Sequence, residues 1–283
     1  MPVGITFSLR ALDDLLPMPF DGEWIHGFLS KVISQAGMLE EDLRKRPAPF
    51  AISSPMPVDG SRSAGGANPD QRWHSLRVPE GGRFRLRLSW LADADLQGML
   101  DWVKILRVEP VRVETRGGPL LVEDALASNI LAQRWNRWVP YGQLYDEASD
   151  SLRLLTLKFY SPTALKRSGL TYPLPDPCGI FLGYEEVWEA FSGIPLAPGL
   201  RKAIEEDLLL VDFRLRRGLF GEGRGSVPGF VGSASYRLQG RHPESVLKGL
   251  NVLADYAFFC GTGIGTEKGM GLTRRILDGA ERT

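Results

Sequence analysis

Residues 255–276 read Asp-Tyr-Ala-Phe-Phe-Cys-Gly-Thr-Gly-Ile-Gly-Thr-Glu-Lys-Gly-Met-Gly-Leu-Thr-Arg-Arg-Ile, a short apolar run that leads into five glycines within eleven residues. The glycines are Gly261, Gly263, Gly265, Gly269 and Gly271. Because glycine adopts left-handed conformations readily, such a loop can turn its N–H groups toward an anion. The stretch therefore predicts a loop that faces phosphate. A tight β-hairpin, whose glycines only fit the turns, is the alternative.

Two common phosphate-binding loops do not fit this spacing. A dinucleotide-binding loop has Gly-x-Gly-x-x-Gly at the start of a helix, whereas the spacing here is Gly-x-Gly-x-x-x-Gly-x-Gly. A P-loop needs a lysine followed by Ser or Thr, whereas Lys268 is followed by Gly-Met-Gly. An enzyme that binds a phosphorylated small molecule at this loop is therefore disfavoured.

The overall charge gives no general attraction to nucleic acid, since 34 basic residues balance 34 acidic ones. Binding to nucleic acid would require local segregation of charge. Residues 214–241 show it, with six arginines against Glu222 alone: Arg214, Arg216, Arg217, Arg224, Arg237 and Arg241. These arginines suit the phosphates of an RNA stem. A solvated arginine face is the alternative.

The compartment and the cofactors are predicted from what the sequence lacks. No apolar run is long enough to span a membrane, and the first residues do not resemble a signal peptide. Cys178 and Cys260 are the only cysteines and lie far apart, so neither a disulfide framework nor a zinc site is indicated. We expect a cytoplasmic protein with no cofactor, no metal and no membrane partner.

Hydrophobic periodicity predicts the same order of elements in each half of the chain. In the first half we expect a strand at 3–10, a helix after Asp21, strands at 50–53 and 83–90, a helix at 92–106 and a strand at 108–113. Along 83–90, the alternation predicts a core face and a basic face with Arg83, Arg85 and Arg87.

The second half should contain a strand at 152–160, helices at 184–191 and 198–208, and strands at 210–215 and 230–238. A helix at 243–253 and a last strand that runs into the glycines complete it. The predicted fold is α+β, with two tandem ferredoxin-like (RRM-like) domains at 1–148 and 149–283. Each would have an antiparallel sheet with helices on one face.

The stretch Gln133-Arg-Trp-Asn-Arg-Trp138 interleaves basic and aromatic residues. It could stack RNA bases. An amphipathic helix that buries Trp135 and Trp138 in a core is the favoured alternative.

The glycine-rich stretch resembles the C-terminal signature of the CRISPR-associated repeat-processing endoribonucleases, which belong to the repeat-associated RNA-binding superfamily. In that family an aromatic strand leads into a Gly-x-Gly…Gly-x-Gly loop, matched here by Ala257-Phe-Phe259 and by 263–271. Ser161-Pro-Thr163 and 229–238 are also similar to family patterns. The resemblance covers about 152–276 and is weaker in the N-terminal half, where Trp24-Ile-His-Gly27 carries it.

The resemblance implies that His26 is catalytic, because many members carry a catalytic histidine on the first helix. At 100° per residue, His26 lies about 80° from the centre of the apolar stripe, at the border between core and solvent. Studied relatives pair this histidine with a tyrosine and a lysine. Here no tyrosine precedes Tyr141, and Lys31 lies about 140° from His26 around the helix. Lys268 or Arg214 is the alternative cationic partner.

The leading prediction is a metal-independent endoribonuclease that cuts CRISPR repeat RNA, expected to be a stem-loop, into guide RNAs. The 2′-hydroxyl would attack the scissile phosphate and leave a 2′,3′-cyclic phosphate and a 5′-hydroxyl. Candidate catalytic residues are His26, Lys31 and Lys268. Candidate RNA-binding residues are Gly263, Gly265, Lys268, Gly269, Gly271, Arg214, Arg216, Arg217, Arg224 and Arg237. The alternative is a non-catalytic RNA-binding subunit of a CRISPR effector complex. Contacts with other effector subunits and a homodimer are left open.

Overall fold

The structure is a computed structural model that describes residues 1–19, 22–34, 47–57, 75–92, 96–115, 117–127, 135–221 and 225–277. Buried apolar side chains form two clusters, one built mainly from the first half of the chain and one mainly from the second. Among the described helices, none has the length and apolar character needed to cross a bilayer.

The elements of the first half surround one antiparallel sheet. They are β1 (Val3–Ala11), β2 (Leu15–Pro19), α1 (Gly22–Ser34), β3 (Phe50–Ile52), β4 (Met56–Pro57), β5 (Ser75–Val78), β6 (Arg83–Trp90), α2 (Leu96–Val108), β7 (Val111–Thr115), β8 (Gly118–Leu126) and β9 (Arg137–Trp138). The main sheet has the strand order β3-β6-β1-β8-β7, and β4 and β9 join it at β6 and β1. Strands β2 and β5 form a separate pair.

Alternate side chains of β1 point to the face of this sheet that helix α1 covers. Val3, Ile5, Phe7 and Leu9 are fully buried, as the period of two along a strand requires. Helix α1 packs its apolar stripe into the same cluster, and Phe28 meets the ring of Phe7 edge-on at 5.9 Å between centroids. The predicted strands at 3–10, 50–53 and 83–90 and the predicted first helix are therefore confirmed.

Two predicted boundaries in this half are wrong. Helix α2 spans Leu96–Val108, so Val108 ends a helix where a strand was expected to begin. Its hydrogen bonding continues to the Glu109 N–H, which donates to the Ile105 carbonyl at 2.8 Å. The chain becomes extended only after Pro110, because proline cannot continue the helix, and β7 begins at Val111.

The basic face expected on β6 is also partly wrong. Arg83 and Arg85 are exposed, but Arg87 is only 2% exposed. Its Nε donates to the Trp135 carbonyl at 2.8 Å, and its guanidinium lies 4.0 Å from the centroid of the Phe258 ring. The second half of the chain therefore covers this part of the sheet.

The second half surrounds another antiparallel sheet. Its elements are α3 (Tyr141–Glu147), β10 (Leu154–Thr163), β11 (Leu165–Arg167), β12 (Leu170–Tyr172), α4 (Pro177–Phe191), α5 (Leu200–Asp207), β13 (Leu208–Phe220), β14 (Val227–Leu238), α6 (Glu244–Cys260) and β15 (Thr273–Ile276). The main sheet has the order β13-β14-β10-β15, and β11 pairs with β12. The predicted helices and strands of this half are present, except at the end of the last helix.

The aromatic run before the glycines is helical, so its prediction as a strand is wrong. Helix α6 continues to Cys260, and Gly261 ends it with a φ of 69°. Its last five residues, Tyr256–Cys260, are buried, so hydrophobic periodicity cannot distinguish helix from strand there. The last strand, β15, follows the glycines instead of preceding them.

Trp135 and Trp138 are not on the expected amphipathic helix. Arg137 and Trp138 form β9, which pairs with Gly4 and Val3 of β1. Trp135 meets the Tyr160 ring edge-on, with 4.8 Å between centroids. The two tryptophans are half-buried between elements, and residues 131–134 lie outside the described part of the chain.

The five glycines lie in a segment that we call the glycine loop, residues 261–272. It is fixed to β10, since the Gly271 N–H donates to the Pro162 carbonyl at 3.0 Å and the Ile264 N–H donates to the Ala164 carbonyl at 2.8 Å. It is also fixed to the first half, where Ser54 Oγ donates to the Gly269 carbonyl at 2.7 Å. The glycine loop therefore joins the two sheets.

Glycine is required at two of these positions by conformation and by space. Gly263 and Gly271 have φ values of 78° and 69°. A Cβ on Gly263 would lie 2.1 Å from the Ala164 carbonyl oxygen, and one on Gly271 would lie 2.1 Å from the Thr262 carbonyl oxygen. Since both obstacles are backbone atoms, the loop would have to move to accept any side chain.

We predict that Gly271→Ala lowers the free energy of unfolding by about 2–4 kcal/mol, from left-handed strain and the backbone clash. Gly183→Ala is the control, because a Cβ at this position of α4 meets no atom within 4 Å. It should raise stability by up to about 1 kcal/mol. Urea denaturation of both variants measures the difference. Equal midpoints for Gly271→Ala and the parent would contradict the loop geometry.

Candidate active site and nucleic-acid interface

The N-terminal helix and the glycine loop meet at one place. Residues Thr266–Lys268 form a 3-10 turn within the loop, and both α1 and β3 contact this turn. His26 lies on α1, but its side chain is outside the described part of the structure. Lys268 is exposed at the end of the turn. The structure therefore brings the helix that carries His26 next to the turn that carries Lys268.

Lys31 is placed elsewhere. Its Nζ donates to the Glu114 carbonyl at 3.3 Å, on β7. Strand β7 is at one edge of the N-terminal sheet, and β3, which adjoins the glycine loop, is at the opposite edge. Four strand spacings separate these edges, or about 19 Å. Lys31 and Lys268 are therefore not brought together.

Hydroxyl groups hold the inner side of the glycine loop. The Tyr184 hydroxyl of α4 bonds to Thr262 Oγ1, which donates to Thr273 Oγ1 at 2.7 Å. Thr273 Oγ1 donates in turn to the Gly271 carbonyl at 2.8 Å. Burial raises the pKa of Tyr184 well above its ordinary value, so this phenol remains a neutral donor at any working pH. These hydrogen bonds connect Thr262 and Thr273, near the two ends of the glycine loop, to each other and to α4.

Some N–H groups of the glycine loop are available as hydrogen-bond donors. Among the described residues, the N–H groups of Gly263 and Gly265 have no backbone carbonyl as acceptor, whereas those of Ile264 and Gly271 donate to the carbonyls of Ala164 and Pro162. Gly263 is exposed. Backbone N–H groups in left-handed conformations are suited to hold phosphate oxygens.

Exposed arginines follow the strands at the far edge of the C-terminal sheet. Arg214, Arg216 and Arg217 are exposed on β13, and Arg237 is exposed on β14. Arg224 lies outside the described residues. Phe213, which precedes Arg214 on the same strand, is also exposed, at 60%. Strand β13 is an edge strand of thirteen residues, and both of its faces are open to solvent around Arg214.

The strand register aligns these arginines with further cations. Arg214 lies opposite Ser233, Ser233 opposite Lys158, and Lys158 opposite Arg274. Residues directly opposite one another project from the same face of a sheet. Neighbouring Leu157 and Phe159 are buried, so this face is the one that turns away from the C-terminal core. We call Arg214, Lys158 and Arg274 the basic row.

The basic row ends beside the glycine loop. Arg274 follows Leu272 and Thr273 directly, so the row extends from the edge strand β13 across the sheet to the loop. Burial, followed by the charge of Arg274, lowers the pKa of Arg87 to about 9, and the guanidinium is still charged at neutral pH. Arg87 and Arg274 are therefore close enough to repel each other where the two sheets meet.

Sequence reasoning missed Lys158 in this row. A single lysine in an apolar strand does not form a charge pattern that can be recognised in the sequence. Its alignment with Arg214 and Arg274 depends on the register of four strands. A family model for the CRISPR-associated endoribonuclease Cas6 matches residues 157–273, which include Lys158, Arg214 and the glycine loop and end one residue before Arg274.

Curated proteins and solved structures of the Cas6 family are also similar to this chain. A CRISPR-associated endoribonuclease Cas6 of Mycobacterium tuberculosis (strain CDC 1551 / Oshkosh) is 31% identical over 128 residues, which are 45% of this chain and 40% of that protein. A Cas6 product complex superposes with a TM-score of 0.76 at 26% identity, over 98% of this chain and all of the other. Cas6 of Thermus thermophilus superposes with a TM-score of 0.69 at 25% identity, over 98% of both chains.

The match with the mycobacterial protein covers less than half of either chain, whereas the structural likeness extends over nearly the whole length. Both lead to the same family, as does the model that matches the glycine loop and the strands beside it. The chain is therefore similar to the CRISPR-associated endoribonuclease Cas6 family, in sequence over residues 157–273 and in fold over nearly its whole length.

Proposed function

We propose that this chain is an endoribonuclease that cuts CRISPR repeat RNA into guide RNAs. The observation that carries the proposal is the contact of α1 with the 3-10 turn of the glycine loop, at one end of the basic row. In this proposal, the helix that carries His26, the N–H donors of the glycine loop and the basic row would act on RNA in one region. The Cas6 product complex, which this chain resembles in fold, supports the assignment.

We infer that the two halves are tandem ferredoxin-like domains, at 1–148 and 149–283. The strand orders support this, since β3-β6-β1-β8 and β13-β14-β10-β15 each place the first strand between the third and the fourth of a β-α-β-β-α-β unit. Strand β7 is an addition at the edge of the first sheet. The helices then cover one face of each sheet and leave the other for RNA or for the partner domain.

The RNA would follow the basic row toward the glycine loop. Arg214, Lys158 and Arg274 would contact successive phosphates, and Arg216, Arg217 and Arg237 would extend this surface at the β13 edge. Such contacts supply most of the affinity without reading the sequence. The glycine loop would then hold the phosphate next to the cut, with the Gly263 and Gly265 N–H groups as donors.

In the proposed reaction, the 2′-hydroxyl on the 5′ side of the scissile phosphate attacks the phosphorus. Its proton leaves as the new P–O bond forms, and the 5′-oxygen of the next nucleotide takes up a proton as its bond to phosphorus breaks, which gives a 2′,3′-cyclic phosphate and a 5′-hydroxyl. His26 would move one of these protons, and Lys268 with the loop N–H groups would stabilise the charge on the phosphate oxygens. Lys31 would need a different arrangement to take part, because it reaches Glu114.

One observation favours a second candidate, a non-catalytic RNA-binding subunit. Lys31 lies across the N-terminal sheet from the glycine loop, so the described residues do not assemble the full set that the family resemblance implies. The basic row and the glycine loop would still bind RNA. Association with other effector subunits and a homodimer stay predictions under either candidate.

Incubation of the chain with synthetic repeat RNA of its own genome in excess chelator tests the proposal. Cleavage at one position, with a cyclic phosphate on one product and a 5′-hydroxyl on the other, would support the endoribonuclease. Tight binding without cleavage would favour the non-catalytic subunit. The absence of binding would contradict both candidate functions.

His26→Ala should lower the single-turnover cleavage rate by at least about 100-fold and leave repeat affinity nearly unchanged, since a general acid or base contributes about this factor. His242→Ala is the matched control, because His242 lies 3.3 Å from Asp207, away from the loop. An unchanged rate in His26→Ala would remove the catalytic assignment.

Charge reversal at Arg214 should weaken binding of repeat RNA and flatten its salt dependence by somewhat less than one unit of log K against log salt, because one phosphate contact is lost. Lys202→Glu provides the control, since Lys202 is exposed on α5 and pairs with Glu206. Binding is measured by filter retention at several salt concentrations. If both variants keep the parent slope, the row is only a solvated face.

Replacement of the single ribose before the cut by 2′-deoxyribose should abolish cleavage and leave binding nearly intact, because the proposed nucleophile is removed while the phosphates remain. The control is the same replacement one nucleotide further upstream, which should be cut at the normal rate. Cleavage of the first substrate at a rate near that of unmodified RNA would exclude the 2′-hydroxyl mechanism.

A further inference from the structure

A short β-hairpin stands beside the glycine loop, and the proposed function does not yet use it. Strands β11 and β12 pair from Leu165–Tyr172 to Arg167–Leu170, and we call residues 165–172 the side hairpin. Its two turn residues, Ser168 and Gly169, have φ values of 50° and 80°. Two consecutive left-handed residues are typical of a type I′ turn, which matches the twist of paired strands. The side hairpin is therefore a defined element with a fixed register.

The base of the side hairpin is anchored to the glycine loop. The Ala164 carbonyl accepts the Ile264 N–H at 2.8 Å, and Leu165 is buried. Leu165 is packed closely between two glycines, because a Cβ on Gly263 would lie 3.2 Å from its Cδ2 and one on Gly179 would lie 2.9 Å from its Cδ1. Any movement of the side hairpin would thus be transmitted to the loop.

The rest of the side hairpin is exposed and positive. Residues 166–171 are all exposed, including Lys166 and Arg167. No acidic residue occurs between Asp150 and Asp176. The Arg167 guanidinium lies 5.3 Å from the centroid of the Tyr172 ring, which orients it. At about 3.3 Å per residue, the backbone of Lys166 and Arg167 lies within roughly 10 Å of Ala164, or about one Debye length at moderate salt.

The side hairpin also exposes apolar surface. Leu170 is 73% exposed next to the turn, and Leu174 just beyond the hairpin is 53% exposed. An exposed leucine on a rigid turn beside two cations is suited to bind nucleic acid. The cations can contact phosphates, and the apolar side chain can contact a sugar or a base.

We propose that the side hairpin is a second RNA-contacting element, which holds the strand next to the cut at the part of the glycine loop around Gly263. Lys166 and Arg167 would contact two phosphates, and Leu170 would contact a ribose or a base. This inference rests on the proposed function, because the RNA is the strand that the glycine loop holds. It adds a contact that depends neither on the basic row nor on His26.

The test compares two double variants that change the net charge equally. Lys166→Glu with Arg167→Glu is matched by Lys104→Glu with Lys202→Glu, whose lysines are exposed on α2 and α5. Two lost phosphate contacts should reduce the slope of log K against log salt by about 1.4–1.8 and lower repeat affinity at least about tenfold at 0.1 M salt. The control pair should keep the parent slope. Thermal unfolding of both variants checks that the fold is unchanged.

Leu170→Ser separates the apolar contact from the ionic ones. We expect weaker binding of the repeat RNA, by about three- to tenfold, with an unchanged salt slope, because no phosphate contact is lost. Leu152→Ser is its control, since Leu152 is exposed at 47% but lies before β10, away from the side hairpin.

The outcomes distinguish this inference from the proposed function. If the unsubstituted chain neither binds nor cuts repeat RNA, both fall together. If it cuts the RNA but the side-hairpin variants match their controls in affinity and in salt slope, the side-hairpin inference alone is overturned, and the hairpin would have to serve another partner.

Discussion

The hydrogen bond from Ser54 Oγ to the Gly269 carbonyl, 2.7 Å long, joins the glycine loop to the N-terminal half. The other end of the loop is bonded to β10 through Pro162 and Ala164. Left-handed glycines allow the chain to make both connections within a dozen residues, since side chains at Gly263 or Gly271 would strike backbone atoms. The position of α1 relative to the C-terminal sheet therefore depends on this loop, and so does the distance from His26 to any RNA that crosses that sheet.

Charge is distributed so that a neutral chain can still present a row of cations. Basic and acidic residues are equal in number, yet Arg214, Lys158 and Arg274 are aligned on one face of the C-terminal sheet. Buried Arg87 adds a charge where the two sheets meet, and the repulsion from Arg274 is one reason why its pKa falls to about 9. A phosphate bound near Arg274 would relieve part of that repulsion. The same region would thus gain both affinity and stability when RNA is bound.

Much of the fold could be predicted because period-two alternation marks β1, β6 and β10 clearly. The end of α6 could not, since Tyr256–Cys260 are apolar without a period. Alternation also cannot show what covers the second face of a strand, so the burial of Arg87 by Phe258 was missed, and so was the exposure of Phe213 at an edge. In the candidate site, the sequence identified the glycines and arginines by composition. The basic row depends on register, and register is fixed only by the packed structure.

The most direct test of this account is to find which residues contact the nucleotide at the cut. A repeat RNA with 2′-deoxyribose at the cut and 4-thiouridine beside it can be crosslinked to the chain by irradiation, and the adducts can be mapped by mass spectrometry. We expect adducts within residues 261–272 of the glycine loop and on α1. Adducts confined to distant elements, such as α5 at 200–207, would contradict the claim that the cut takes place where the loop joins the two halves.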